Sequence, residues 1–285
     1  MNLLQIPAWK DRIRYNRWLR GAATAVMACR RFPAVLGIDP SGECNLRCDF
    51  CAPAVRRAGD RPAGDGPRLL DYALFEQVID ESLRHGRRMM IIMHNWGEPL
   101  LHPRLAEMVR HIKTTRAALQ VQFSTNGVLL TEDTARVLIE AGLDGLVISV
   151  DAADAATYAA RKGSDRYQAV MENVRGFMRV RQTLQRSNPF VSAKMIRGLD
   201  APAAEQSFLD QWQPLVDRAL LTKPFDWGGA VPQVPVPAAA RARYACHFLW
   251  YYPVINWDGS VNCCCASCHP AAKVGNVREM PLAKI

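Results

Sequence analysis

From residue 34 to about residue 223, short apolar runs alternate with segments of helical period, and few folds accept that rhythm. Expected strands are Ala34–Asp39, Met89–His94, Leu119–Phe123, Gly145–Val150, Phe190–Ile196 and Arg218–Lys223. Between them, apolar residues recur every three to four positions at 70–85, 103–113, 131–140, 167–180 and 203–213, the mark of amphipathic helices. Leu70, Phe75, Val78, Ile79 and Leu83 line one such face, and Gly86 ends it. Pro103 suits a first helical turn, and Thr131 suits an N-cap. The continuous run Met89–Met93 reads as a strand buried on both faces. Strands alternating with helices of this length form parallel βαβ units. About six of them predict an α/β fold, closed or partly open as a (β/α)6 barrel.

The rhythm breaks on either side. Residues 1–33 are basic, with Lys10, Arg12, Arg14, Arg17, Arg20, Arg30 and Arg31, and read as a helical extension. Gly21–Cys29 is too short and lacks the small-residue cleavage site of a signal peptide. A basic amphipathic helix can touch a membrane surface, but no run approaches a span, so membrane association is disfavoured. Residues 52–68 read as a loop. Residues 225–245, with Gly228, Gly229 and a proline-rich run to Pro237, read as a linker, and 246–285 as a short-stranded, turn-rich segment. With 285 residues, a core of this size is within reach. A net charge of +9 permits an anionic partner. The basic residues are scattered, with no aromatic-interleaved basic motif, so nucleic acid is not expected as a partner.

The nine cysteines carry the first chemical signal. Apart from Cys29, read as a buried apolar residue, they fall in two groups, 44–51 and 246–268. Grouping of this kind without an export signal favours metal or redox chemistry in a reducing cytoplasm over a disulfide framework. Cys44, Cys48 and Cys51 place three thiols within eight residues at the end of the first strand. Thiolates hold iron–sulfur clusters, and three of them can grip a [4Fe–4S] cubane while one iron stays open. Zinc with a fourth ligand, or three unrelated buried thiols, would also suit the spacing.

Polar residues also mark the ends of the next strands: His94-Asn-Trp-Gly97-Glu98-Pro99, then Ser124-Thr125-Asn126-Gly127, then Ser149-Val150-Asp151. Parallel α/β folds place their chemistry at these carboxyl ends. Each stretch alone is also ordinary turn chemistry.

Taken together, these residues resemble the radical S-adenosylmethionine (radical SAM) enzymes over residues 34–196. Cys44, Cys48 and Cys51 match the CxxxCxxC signature, and Gly97-Glu98-Pro99 matches the GEP element. The resemblance implies that Glu98 meets the amino group of S-adenosylmethionine. Ser124, Thr125, Asn126, Ser149 and Asp151 would cradle its ribose and carboxylate, and Arg161 would pair with the methionyl carboxylate. It further implies a [4Fe–4S] cluster whose open iron is chelated by S-adenosylmethionine. Reductive cleavage would yield methionine and a 5′-deoxyadenosyl radical that takes hydrogen from the substrate. A reducing donor such as flavodoxin or ferredoxin would supply the electron, in a cytoplasmic setting.

The second group is Cys246, Cys263, Cys264, Cys265 and Cys268, with an expected hairpin over 254–262 turning at Asp258-Gly259. The spacing Cys246–Gly259–Cys264, with Gly275-Asn276-Val277 after it, resembles the opening of the SPASM, or shorter twitch, auxiliary-cluster module. Two departures stand out: Ser267 replaces an aspartate common in relatives, and the further cysteines that relatives carry past this element are missing before Ile285. Either Cys265 and Cys268 complete a second cluster with Cys246 and Cys264, or the site is incomplete. Zinc is the structural alternative here. Cys263 or Cys265 could serve instead as a hydrogen donor, as an epimerase requires, or be an idle buried thiol. The resemblance implies oxidation or epimerisation of a small polar, sugar-like or aminocyclitol-like substrate. Modification of a ribosomally made peptide is its alternative, and a non-catalytic iron–sulfur or zinc protein is the alternative of another class. Trp96, Trp227, Trp250 and Trp257 could line a pocket or belong to the core.

Overall fold

A computed structural model describes residues 32–51, 67–85, 89–197, 202–224, 249, 251–263, 265 and 272–285. The basic extension over 1–31, residues 52–66 of the expected loop and the 225–245 linker lie outside the described residues, as do Cys29, Trp227 and Trp250.

Six parallel strands form in the expected places: β1 (Val35–Ile38), β2 (Met89–Ile92), β3 (Ala118–Thr125), β4 (Gly145–Ser149), β5 (Phe190–Ile196) and β6 (Arg218–Thr222). The helices among the described residues are α1 (Tyr72–Arg84), α2 (Leu105–Thr114), α3 (Glu132–Glu140), α4 (Ala155–Lys162), α5 (Tyr167–Thr183) and α6 (Pro202–Trp212). Three short strands follow: β7 (Val254–Ile255), β8 (Ser260–Asn262) and β9 (Lys273–Asn276). The sheet order is β6-β5-β4-β3-β2-β1-β7-β8-β9, an open sheet with β6 and β9 at its edges. That is the unclosed, partial barrel expected from the alternation.

Period-two alternation explains the layering. Leu36, Ile91, Met93, Val121, Phe123, Leu146, Ile148, Val191, Ala193 and Met195 are fully buried on one face of the sheet. They form one core with Val78 and Ile79 of α1, Met108 and Ile112 of α2, Leu138 of α3, Val174 and Phe177 of α5, and Phe208 and Trp212 of α6. The opposite face is half-exposed, including Met90 and Ile92. Strand β2 is therefore not buried on both faces as its apolar run suggests, because the helical core covers only one side.

Local chemistry sets most helix boundaries. Asp71 Oδ1 accepts from Leu74 N at 2.9 Å and Thr131 Oγ1 from Thr134 N at 3.2 Å, so each caps its helix. Helix α2 starts at Leu105, with Pro103 in the preceding turn. The short α4 has no counterpart among the expected helices; Asp154 caps it and Gly163, at φ 64°, ends it in the left-handed conformation.

The C-terminal strands do not stand apart from the barrel sheet. Strand β7 pairs in parallel with β1 through Gly37–Val254 and Ile38–Ile255, and β7, β8 and β9 continue antiparallel from there. Gly259, at φ 85°, makes the expected β7–β8 turn with Asp258. Val277 and Leu282 join the main core, and Glu81 of α1 receives the backbone N–H groups of Leu282 and Ala283 at 2.9 and 2.8 Å.

Candidate functional site

The segments that follow β1, β2 and β3 meet at Glu98. Its carboxylate is buried and accepts from Thr125 Oγ1 at 2.7 Å, Asn126 N at 2.9 Å and Leu100 N at 3.1 Å. Burial pushes its pKa up, and these hydrogen bonds oppose that. A carboxylate has about four lone-pair directions, so three accepted bonds leave room for one further donor. Residues Pro99–Leu101 form a 3-10 turn capped by Glu98 itself. Gly97 is required by contact: a Cβ there would lie 1.7 Å from the Ser41 carbonyl oxygen. Glu98 N donates to Glu43 O at 2.7 Å, so the GEP loop lies directly against the segment entering the cysteine triad.

Asn126 makes the next link. Its Nδ2 donates to Asn45 Oδ1 at 2.7 Å and lies 4.0 Å from Cys44 Sγ, while its Oδ1 accepts from Val128 N at 3.0 Å. Ser124 and Thr125, expected in a turn, instead belong to β3, which stays paired with β4 through Thr125–Ile148. Ser124 and Ser149 are half-buried on the face opposite the helices.

Cys44, Cys48 and Cys51 are half-buried and free of disulfides. Burial pushes the Cys44 thiol up to about 11 and raises Cys48, where the Lys162 charge works in the opposite sense. Among the described residues, no three His, Cys, Asp or Glu side chains converge on a point that would hold a single metal ion. A cubane carries its ligated irons on separate corners, so three thiols spaced along one loop and outside any disulfide fit that group.

Arg161 and Lys162 divide in a way the sequence reading missed. Helix α4 buries Tyr158 and Lys162, one turn apart, and turns Arg161 aside. Arg161 Nη1 pairs with Asp49 Oδ2 at 3.1 Å, and its carbonyl accepts from Asp49 N, which fastens the cysteine loop. Lys162 is 2 % exposed, with Nζ 2.7 Å from Asp151 Oδ2 and 5.0 Å from the Phe50 ring centroid. Burial lowers its pKa, but the Asp151 carboxylate beside it outweighs that and holds it ionised. Asp151 sits at φ 56°, a left-handed conformation uncommon outside glycine, and its Oδ1 accepts from Ile196 N at 3.1 Å. The i, i+4 spacing of Tyr158 and Lys162 marks Lys162 as inward only once the helix itself is known.

Two more groups belong to this end of the sheet. Asp39 is fully buried at the end of β1, with Oδ2 3.4 Å from Trp96 N and Oδ1 unpaired, and burial pushes its pKa up to about 7. His94 receives Ser124 N on Nδ1 at 3.0 Å, and burial together with the Lys194 charge lowers its pKa to about 4.

Of the second cysteine group, Cys263 and Cys265 are described; Cys246, Cys264 and Cys268 lie outside the described residues. Cys263 N donates to Ala272 O at 3.0 Å at the end of β8. Cys265 lies near Tyr252, whose pKa is raised by burial and then by the Cys265 charge. With its amide turned to suit its neighbours, Asn95 donates to Cys265 O at 3.1 Å, so the second group meets the loop after β2. Trp257 packs on Gly42, where a Cβ would lie 2.3 Å from its ring, and Arg68 lies 6.0 Å from its centroid.

An open parallel α/β sheet with a three-cysteine loop beyond its first strand, backed by a buried Glu98 hub, defines an iron–sulfur class of enzyme fold. The chain belongs to the radical SAM superfamily, whose model matches residues 38–183, and the SPASM iron–sulfur cluster-binding domain matches residues 246–285. The chain is similar to a tungsten-containing aldehyde ferredoxin oxidoreductase cofactor-modifying protein of Pyrococcus furiosus, 29% identical over 161 residues, 56% of this chain and 43% of the relative. It is also similar to a GTP 3′,8-cyclase of Chlorobaculum tepidum, 35% identical over 133 residues, 47% of this chain and 37% of the relative. The chain thus spans less than half the length of these curated relatives. Among solved structures, BtrN in complex with AdoMet and 2-DOIA superposes with a TM-score of 0.57 at 16% identity, covering 89% of this chain and 81% of BtrN. Streptococcus suis SuiB bound to the precursor peptide SuiA gives 0.67 at 15% identity, covering 94% and 68%. At these identities the likeness is one of fold. The radical SAM and SPASM matches imply [4Fe–4S] chemistry and S-adenosylmethionine. Among the described residues, no helix is long and apolar enough to cross a membrane.

Proposed function

We propose that this radical SAM enzyme oxidises or epimerises a small polar substrate of sugar or aminocyclitol type. The observation that carries the reading is the polar lining of the half-exposed sheet face, where Gln122, Ser124, Ser149 and Lys194 stand on the three adjacent strands β3, β4 and β5, and His94 follows β2. Residues 34–224 would form the catalytic barrel and 246–285 the auxiliary segment. Cys44, Cys48 and Cys51 would hold a [4Fe–4S] cluster; Cys246, Cys264, Cys265 and Cys268 are the ligands proposed for an auxiliary one, with Cys263 or Cys265 as a hydrogen donor if spared. When bound, the cluster and S-adenosylmethionine supply a 5′-deoxyadenosyl radical that takes hydrogen from the substrate.

The protein's part is to place groups. Glu98 offers its remaining acceptor direction to the S-adenosylmethionine amino group, with Gly97 and Pro99 fixing the loop that carries it. Ser124, Thr125, Asn126 and Ser149 would line the ribose and carboxylate side. Lys162, ionised and held by Asp151, is the cation proposed for the methionyl carboxylate, while Arg161 braces the cysteine loop through Asp49. A low-potential electron carrier such as flavodoxin or ferredoxin would complete the system, in the cytoplasm.

Anaerobic reconstitution followed by dithionite and S-adenosylmethionine tests the reading. The intact chain should release 5′-deoxyadenosine; a fully loaded protein that releases none refutes it. Cys48→Ala should lose both that product and about four irons per chain, and retained turnover would overturn the triad assignment.

A further inference from the structure

Asn126 borders the proposed S-adenosylmethionine cradle, yet the polar atoms of its side chain are committed elsewhere. It follows directly on β3, is 7 % exposed, and gives its backbone N–H to Glu98 Oε2 at 2.9 Å. Its Oδ1 accepts from Val128 N at 3.0 Å, which fixes the amide so that Nδ2 faces the cysteine loop. Nδ2 carries two hydrogens and has two acceptors: Asn45 Oδ1 at 2.7 Å and Cys44 Sγ at 4.0 Å. The turn behind it is clamped by α5, where Asn173 Nδ2 donates to Gly127 O and Val128 O at 2.9 and 3.0 Å.

Two N–H groups therefore face the Cys44 sulfur. The Leu46 backbone N–H comes from the cysteine loop itself. The Asn126 amide comes from 82 positions further along the chain, and the end of β3 has to fold into place to deliver it. As a tie between β3 and the loop, the 2.7 Å bond to Asn45 would be enough. The second hydrogen, directed at a sulfur, asks for a further account. A contact of 4.0 Å is weak toward a thiol. A cysteine bound to iron is a thiolate, and hydrogen bonds to an ionised acceptor are roughly twice as strong. Hydrogen bonds to the sulfurs also help to set the reduction potential of an iron–sulfur cluster. They favour the reduced state, which carries one more negative charge, and so raise the potential.

We infer that Asn126 is a positioning residue that raises the reduction potential of the cluster held by Cys44, Cys48 and Cys51, through its N–H on the Cys44 sulfur and its hold on Asn45. This role rests on the reading of those three cysteines as cluster ligands. Asn126 then touches both partners of the reaction's first step, Glu98 through its backbone and a cluster sulfur through its side chain. Without it, the same electron carrier reduces a smaller fraction of the protein.

The test uses the full chain, anaerobically reconstituted and kept free of S-adenosylmethionine, with loading checked by iron content. The midpoint potential of the triad's cluster is followed by EPR during a redox titration; the signal missing from Cys48→Ala identifies that cluster. N126L removes the donor with a side chain of similar branching and size, which keeps water from replacing it. It should make reduction about threefold or more less favourable, a fall of about 30 mV at 59 mV per tenfold for a one-electron couple. N173A loosens the same turn but takes no N–H from the sulfur, and should leave the potential unchanged. An unchanged or raised potential in N126L, or an equal fall in N173A, overturns the inference. Should N126L fail to load, N126A takes its place in the same comparison. The intact chain gives an independent answer: with ¹⁵N in its asparagine side chains, pulsed EPR of the reduced cluster should show a ¹⁵N coupling, and its absence also overturns the inference. Release of 5′-deoxyadenosine after S-adenosylmethionine is added to the intact preparation is measured separately. A loaded chain that releases none sinks the radical reading, while the potentials still decide the role of Asn126.

Discussion

Asp39 offers the sharpest quantitative test of the site's electrostatics. Its carboxyl is fully buried, one oxygen lacks a partner, and burial followed by the Asp258 charge lifts its pKa from 3.8 to about 7 against the pull of the Trp96, Gly97 and Asn95 backbone N–H groups. A carboxyl whose folded pKa lies above its unfolded one costs stability as pH rises, because the unfolded chain loses the proton first. The cost begins near pH 4, grows through pH 7 and then levels off. A rise from 3.8 to about 7 corresponds to about 4 kcal/mol at pH 8, of which about 2 kcal/mol is recovered at pH 5.5. The amide introduced by D39N keeps an acceptor for Trp96 N but cannot ionise. Any cost of burying that amide is the same at both pH values. His94 works in the other direction, since its lowered pKa of about 4 makes stability fall as pH drops below 6.5, but it contributes equally to both proteins. The diagnostic quantity is therefore the difference in melting temperature between D39N and the unsubstituted chain, measured at pH 8 and at pH 5.5. For 285 residues an unfolding entropy of about 0.6 kcal/mol/K makes the expected change in that difference about 3 °C, with D39N relatively more stable at pH 8. Parallel melting temperatures across the two pH values, or a relative gain for Asp39 at pH 8, would refute the assignment.

Lys162→Met should weaken S-adenosylmethionine binding by at least about tenfold in equilibrium dialysis, while Arg161→Met should change it much less; the reverse order would return the carboxylate role to Arg161. Lys162→Met should also lower the melting temperature markedly, because removing one member of a buried pair costs about 3–5 kcal/mol, and an unchanged melting temperature would mean that Asp151 is solvated. Gly97→Ala should impair folding or cluster loading, since its Cβ would overlap the Ser41 carbonyl; normal iron content and stability would show that the GEP loop can move away from the triad.

Much of the architecture was readable because each strand and helix announces itself over four or more residues. The six parallel strands, the Thr131 cap and the Asp258-Gly259 turn all follow from period and local backbone preference. The burial of β2 on one face only was hidden, since an apolar run of four residues looks the same whether its second face meets helices or an open concavity. Helix α4 was missed because its eight residues bury just Tyr158 and Lys162, too few to establish a period. That miss propagated to the site: without the helix, Arg161 and Lys162 are adjacent basic residues, and only the helical turn decides which one points inward. Lys194 escaped attention for a different reason. It is one polar residue in a strand, and its neighbours across the sheet are set by the register between strands far apart in the chain.

The pairing of β1 with β7 has a consequence for how the protein is made. Strand β1 emerges early, yet its outer edge waits for Val254 and Ile255, 217 residues later by the Gly37–Val254 register. At about 5–20 residues per second, translation leaves that edge open for roughly 10–40 s. Throughout this interval the strand that leads into Cys44, Cys48 and Cys51 presents unpaired backbone groups to the cell, a template for wrong partners. Iron delivered during synthesis would meet a cysteine loop whose supporting strand is still only half zipped. The strand that carries the cysteine loop is thus paired along both edges only once the C-terminal strands have arrived.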